Sequence, residues 1–286
     1  MMSTIIEAKD LSKRFGGQMA LDHISFTVKS GSIVGLIGRN GAGKTTTLKS
    51  ILGLTPYQGS ISVLGRDPVS ERTAMMGDIC FIADTAVLPR WLRVGQAIDY
   101  VEGLHPRFQR ARAEQFLART SIRMRSRIGT LSKGMITQVH LALILAIDAR
   151  LLVLDEPTLG LDLLYRRRFY DTLLSDYFDK ERTILLTTHQ VEEVENLLTH
   201  VLFIDRGHVV LDAGVEELAE RYVQVNVAAD KIASARAQSP FYEREMFGRQ
   251  TMLFENRPRA LLAEFGELRT PTISDLFVAK LQEEAA

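Results

Sequence analysis

One cysteine in 286 residues cannot close an internal disulfide, so this fold has to hold by packing alone. That residue, Cys80, sits in the apolar stretch Ile79-Cys80-Phe81-Ile82 and reads as a small core residue. Long hydrophobic runs are missing as well. The most apolar, Leu141 to Ile147, falls far short of the ~20 residues that span a bilayer. The first ten residues carry Glu7, Lys9 and Asp10 and lack the apolar core of a secretory signal, so a soluble intracellular chain is expected. Neither charge sign is in excess, since Lys plus Arg and Asp plus Glu each total 35. Phosphate contacts supply most of a nucleic-acid binder's affinity, so zero net charge gives that class no support. The sequence has no His and Cys spacing suited to zinc, and no repeat or low-complexity linker. What remains is a globular composition, 46% apolar and 24% charged, long enough for one large domain or two modest ones.

Ile5 to Ala8 and Ile24 to Val28 read as short strands, the second alternating apolar and polar. Apolar runs at Ile33–Ile37, Leu151–Leu154, Ile184–Leu186 and Val201–Ile204 suit the buried strands of a parallel sheet. Helical spacing lies between them, as at Thr46 to Leu52 and Leu164 to Phe178, so an α/β fold is expected. From Val94 to Ala146 helical patterns dominate, which reads as an insertion over about 90–146. Beyond Tyr222 the character changes. Tyr222 to Val227 and Thr251 to Phe254 read as strands. Thr272-x-x-Asp275 then opens a helix with Ile273, Leu276, Phe277 and Leu281 on one face. The expected division is 1–220 as the main domain and 221–286 as a small α+β appendage.

Gly38-Arg39-Asn40-Gly41-Ala42-Gly43-Lys44-Thr45 matches G-x-x-x-x-G-K-[ST]. Glycines let the backbone curl until successive N–H groups point at phosphate oxygens. Lys44 would reach the β- and γ-phosphates, the Thr45 hydroxyl would hold Mg²⁺, and the helix opening near Thr45 adds its positive end. The motif follows an apolar strand and opens a helix, as this chemistry requires, so the chain is expected to bind a nucleoside triphosphate. Leu151 to Leu154 ends in Asp155 and Glu156. A buried strand can aim Asp155 at Mg²⁺, which prefers oxygen ligands, and place Glu156 to orient or deprotonate the attacking water. Leu131-Ser132-Lys133-Gly134-Met135 and His189 are weak signals alone: a helix-capping serine and a structural histidine would account for them.

Together, and in this order, these segments resemble the nucleotide-binding subunit of ATP-binding cassette (ABC) transporters over roughly residues 3–220. The resemblance implies a P-loop ABC ATPase core with an N-terminal antiparallel β subdomain. Gly38 to Thr46 becomes the Walker A loop, Leu131 to Met135 the signature motif and Leu151 to Glu156 Walker B. Leu159-Gly160-Leu161-Asp162 becomes the D-loop, which adds Asp162 to the nucleotide site, and His189 the switch histidine. Phe15 falls where an aromatic ring stacks on adenine. The resemblance further implies a homodimer with two ATP molecules sandwiched between subunits. In it, Ser132 and Gly134 reach the γ-phosphate on the other subunit's Walker A. It places the chain on the cytoplasmic face of the cell membrane, beneath separate transmembrane permease subunits.

Two positions depart from the family pattern. The signature is most often Leu-Ser-Gly-Gly-Gln, whereas Lys133 and Met135 stand here at its third and fifth positions. This form, with the closing segment Thr272 to Val278, resembles exporters of drugs, ions or surface polysaccharides. Where the family places a metal-sensing glutamine, Asp84 stands here; it keeps an oxygen ligand for Mg²⁺ but is shorter and charged. An exporter ATPase is therefore expected. The alternatives are a soluble cassette acting on ribosomes or nucleic acid, or a catalytically weak regulatory cassette. Arginines also crowd the helical insertion, from Arg107 to Arg127. They read as a solvated face, or as a contact with a membrane-domain loop or anionic lipid.

Overall fold

The buried strands of this protein are apolar on both faces, and their alternation sets the layers. The computed structural model describes residues 3–83, 88–159, 161–179, 181–246 and 248–283. β1 (Thr4–Phe15) and β2 (Gln18–Lys29) form a long antiparallel hairpin. β3 (Ile33–Ile37) leads into α1 (Lys44–Ile51), and β4 (Gln58–Val63) returns to pair with β1. The result is the antiparallel subdomain β2-β1-β4. After α2 (Arg72–Met76), β5 (Ile79–Ile82) enters a second sheet. α3 (Val94–Leu104), α4 (Arg110–Ala118) and α5 (Lys133–Leu145) form the insertion before β6 (Leu151–Asp155). α6 (Leu163–Thr172) runs on as a π-helical turn, Leu173–Tyr177. β7 (Thr183–Thr188), β8 (His200–Asp205) and β9 (His208–Gly214) complete a six-stranded sheet ordered β5-β6-β7-β3-β8-β9, antiparallel only at β9.

Successive side chains of a strand point to opposite faces, and both faces here are covered. Leu152, Leu154, Ile184, Leu186, Val201 and Phe203 face α5 and α6. Leu151, Val153, Leu185, Leu202 and Ile204 face α1 and the antiparallel subdomain. The insertion has a core of its own, built on Val94, Ile98, Leu117 and Val139. Cys80 is buried as expected, and burial pushes its thiol up to about 12, so it stays a neutral packing group. The hairpin strands are each 12 residues, longer than their apolar patterns predict. Register shifts between Ala8 and Lys13, with Asp10 and His23 at positive φ, break the alternation that a sequence pattern depends on.

α7 (Val215–Arg221) precedes β10 (Tyr222–Val227), α8 (Ile232–Arg236), β11 (Tyr242–Met246), β12 (Arg249–Glu255), α9 (Arg259–Leu262), β13 (Gly266–Arg269) and α10 (Ile273–Glu283). The four strands form an antiparallel sheet, β11-β12-β10-β13. Val223, Val225, Met252 and Phe254 pack on one face with Ala235 and Leu262, while Tyr222 and Leu253 join the core of the large sheet. α10 opens on the expected capping box. Asp275 N–H donates to Thr272 Oγ1 at 3.0 Å and Thr272 N–H to Asp275 Oδ2 at 3.3 Å. Its apolar face packs on the large sheet, where Phe277 meets Phe203 edge-on at 5.2 Å. Its Ser274 donates to Glu192 at 3.0 Å, just beyond His189. Phe277→Ala is expected to lower unfolding free energy by about 3–5 kcal/mol in denaturant titration. A loss under ~1 kcal/mol would show that α10 is not part of the shared core.

Candidate active site

The carboxyl ends of β6, β7 and β3 lie side by side, with Asp155 paired to Thr187 and Ile37 to Thr188. The site is built at this edge, where parallel sheets place their ligand crevices. The loop after β3 approaches its neighbours closely enough to require glycine. A Cβ on Gly38 would lie 2.5 Å from the Ile204 carbonyl oxygen. At Gly43, where φ is +117°, it would lie 2.8 Å from that of Ala20. Lys44, the first residue of α1, is buried. Its Nζ donates to Gly38 O at 2.8 Å and Arg39 O at 3.3 Å, and stands 3.3 Å from Glu156 Oε1. The ammonium is thus fixed at the centre of the loop.

Thr45 Oγ1 donates to Asp155 Oδ1 at 3.3 Å, which brings the two expected metal-holding groups together. Thr187 completes this corner. Its hydroxyl donates to the same Asp155 oxygen at 2.6 Å and accepts the Glu156 N–H at 3.1 Å. Glu156 has a φ of +48°, an uncommon conformation for a side-chain-bearing residue that turns it out of the strand direction. Its Oε2 accepts from His189 Nδ1 at 2.9 Å; an ionised carboxylate only accepts, which places the proton on that nitrogen. Arg39, Asn40, Gly41, Gly43, Lys44, Thr45, Thr46, Glu156 and His189 line one cavity of about 420 Å³, with Ala20 and Leu159 at its wall. Ala42 is buried behind the loop, its carbonyl accepting from Gly207 N–H.

The other expected site residues lie outside this cavity's lining. Phe15, at the end of β1, is 52% exposed, with the Lys13 ammonium 4.7 Å from its ring centroid. Ser132 caps α5, accepting from Met135 N–H at 3.3 Å. Gly134 is buried against Tyr165, whose ring lies 2.1 Å from where a Cβ would stand. Asp162 caps α6 through Leu164 and Tyr165 N–H groups, both at 3.1 Å. Asp84 lies outside the described residues. Motif reading passed over Thr187, and the run Arg166-Arg167-Arg168, which reads from sequence as solvated surface, is corrected at Arg166, whose side chain is only 18% exposed. The signal for Thr187 was a hydroxyl in the last two residues of the strand, two positions before the histidine. Arg166 Nε donates to Leu161 O at 2.7 Å, and its guanidinium bonds Gln190 and Glu193, tying the loop after β6 to the segment after His189.

The donor set fits a nucleoside triphosphate with a hard divalent cation. A glycine cradle and ammonium face one cavity, beside a hydroxyl and carboxylate sharing a hydrogen bond. Among the described residues no three His, Cys, Asp or Glu gather in a group that could hold a metal ion. Fold and site together define a P-loop ATPase of the cassette type. Residues 21–159 match the family model described as ABC transporter. Nod factor export ATP-binding protein I of Cupriavidus metallidurans is 32% identical over 279 residues, 92% of this chain and 90% of that protein. Bacitracin transport ATP-binding protein BcrA of Bacillus licheniformis is 30% identical over 226 residues, 77% of this chain and 73% of that one. A solved ATP-binding subunit of an ABC transporter superposes with a TM-score of 0.67 at 29% identity, covering 76% of this chain and 92% of that structure. The chain belongs to the ABC transporter ATP-binding proteins, exporter type among them, and its reaction is ATP hydrolysis coupled to transport.

Proposed function

We propose that the chain energises an ABC-type exporter as a homodimer, on the cytoplasmic face of the cell membrane beneath separate permease subunits. Residues 1–220 would form the ATPase domain and 221–286 an accessory domain. The observation that carries this reading is the convergence of Lys44 and His189 on the two oxygens of Glu156. In it, Gly38 to Thr46 hold the phosphates and Phe15 stacks on the adenine. Thr45 and Asp155 hold Mg²⁺, which when bound neutralises charge on the phosphate oxygens. Glu156 takes a proton from the water whose oxygen attacks the γ-phosphorus, as the bond from that phosphorus to ADP breaks. His189 keeps the carboxylate oriented through its Nδ1 hydrogen, and Thr187 holds Asp155 and the Glu156 backbone in register.

Support for a dimer comes from groups that one chain leaves outside its own cavity. Ser132 and Asp162 are solvent-facing caps, and Leu159, Leu163 and Leu164 beside them are exposed apolar side chains. Ser132, Gly134 and Asp162 would then serve the nucleotide of the second copy. Support for a permease comes from an apolar groove of about 510 Å³ between core and insertion, lined by Ile82, Leu88, Tyr100, Val101 and Ile144. His140 in its wall has its pKa lowered by burial. Among the described residues no helix is long and apolar enough to cross a membrane, so a spanning partner is required by the transport reading. Capture of tagged Glu156→Gln protein from detergent-solubilised native membranes tests this. Equal recovery of a multi-spanning protein is expected. Recovery of ribosomes or nucleic acid without one would overturn it.

A further inference from the structure

From Leu88 to Thr130 a chain of zero net charge holds nine arginines, three acids and no lysine. All three acids, Asp99, Glu102 and Glu114, are used by Arg110 alone, and Arg107 pairs with Asp78. Among the described residues none of the other seven arginines makes an ion pair with an acid. The fold then concentrates them. The segment entering α3 runs beside the segment entering the signature region, with Val94 N–H to Ser126 O at 3.0 Å and Ile128 N–H to Leu92 O at 2.9 Å. Arg93 faces Arg127 in an antiparallel bridge, and its guanidinium donates to Arg125 O at 2.6 Å. Arg90 donates to Gly129 O at 3.3 Å. Arg90, Arg93, Arg123, Arg125 and Arg127 therefore line one exposed ridge.

This arrangement works against local stability. Like charges sit side by side, and all three insertion helices begin at a basic residue with no acid in the first turn: Arg93 caps α3, Arg110 opens α4 and Lys133 opens α5. A cation at a helix N-terminus opposes the helix dipole. The only tryptophan of the chain, Trp91, stands between Arg90 and Arg93 at 73% exposure, where the ridge borders the apolar groove that Trp91 and Tyr100 of α3, 66% exposed, both line. An amphipathic ring amid arginines matches the headgroup layer of a bilayer, and the guanidinium fork matches phosphate geometry.

We propose that this arginine ridge with Trp91 at its centre is a contact surface for the anionic lipid headgroups of a bilayer. The inference rests on the reading that the chain works against a membrane, but its test needs no permease. Trp91 emission reports on the ridge directly. With vesicles of phosphatidylcholine containing about 30% phosphatidylglycerol the emission should shift to the blue and the protein should float with the vesicles. Pure phosphatidylcholine should do neither, and raising salt should reverse the effect. Each basic residue near an anionic surface is worth about fivefold in affinity, so Arg123→Glu/Arg125→Glu/Arg127→Glu should weaken vesicle binding at least about a hundredfold. ATP binding measured on the same samples checks that the variant is folded. Equal response to neutral and anionic vesicles, or none to either, overturns the proposal. A shift given by soluble polyglutamate but not by vesicles overturns it too and assigns the ridge to an acidic protein segment. Neither result touches the permease reading, which stands or falls on copurification.

Discussion

Glu156→Gln protein is expected to bind ATP at least as tightly as the parent and to hydrolyse it about a hundred- to ten-thousandfold more slowly. The amide is nearly isosteric and its single oxygen can still accept from one of the two donors, Lys44 or His189, but it cannot take a proton from water. It also removes a negative charge 3.3 Å from the Lys44 ammonium, leaving that cation fully available to phosphate. Tighter binding with slower hydrolysis should accumulate the closed homodimer, readable as a shift on a sizing column with saturating Mg-ATP. A steady-state rate within about tenfold of the parent would remove Glu156 from the role of base. A variant that stays monomeric under those conditions would sink the two-copy sandwich for the isolated subunit.

What could be read from the sequence followed from how locally each feature is encoded. The glycine loop, Asp155, Glu156 and His189 are legible because each stands at the end of a short apolar strand, and parallel neighbours bring such ends together. Tyr222 to Val227 was legible to the residue, since one strand face is apolar and the other polar. The extended hairpin was not, because bulges near Asp10 and Leu11 interrupt alternation while hydrogen bonding continues. Nor was the service of Thr187 to both Asp155 and the Glu156 backbone, which depends on a register between strands more than thirty residues apart. The apolar face of α10 was readable, but not its destination. A hydrophobic stripe says that a helix is buried, whereas Phe203 and the large sheet, rather than the appendage's own core, are what cover it. Gly134 teaches the same distinction. Its place in a signature-like segment explains a phosphate contact, while the Tyr165 ring packed against it supplies a second reason for glycine within one chain.

Lys44→Ala is expected to weaken ATP binding at least about a hundredfold, since hydrogen bonds from a charged donor are worth about 1.5–3 kcal/mol each and Lys44 is placed to make more than one. The loss does not come from the phosphates alone. With the ammonium gone, the Gly38 and Arg39 carbonyls lose their donor and Glu156 keeps only His189 as partner. The loop would then present carbonyl oxygens and an unneutralised carboxylate to a polyanion, so attraction is replaced by repulsion. Removing one member of a buried ion pair also destabilises the fold, and this must be separated from the loss of binding. Calorimetric titration with ATP should therefore be paired with a thermal melt of the same sample. A cooperative transition with no measurable ATP heat is the expected result. A variant that melts cooperatively and binds ATP as the parent does would show that this loop does not hold the triphosphate.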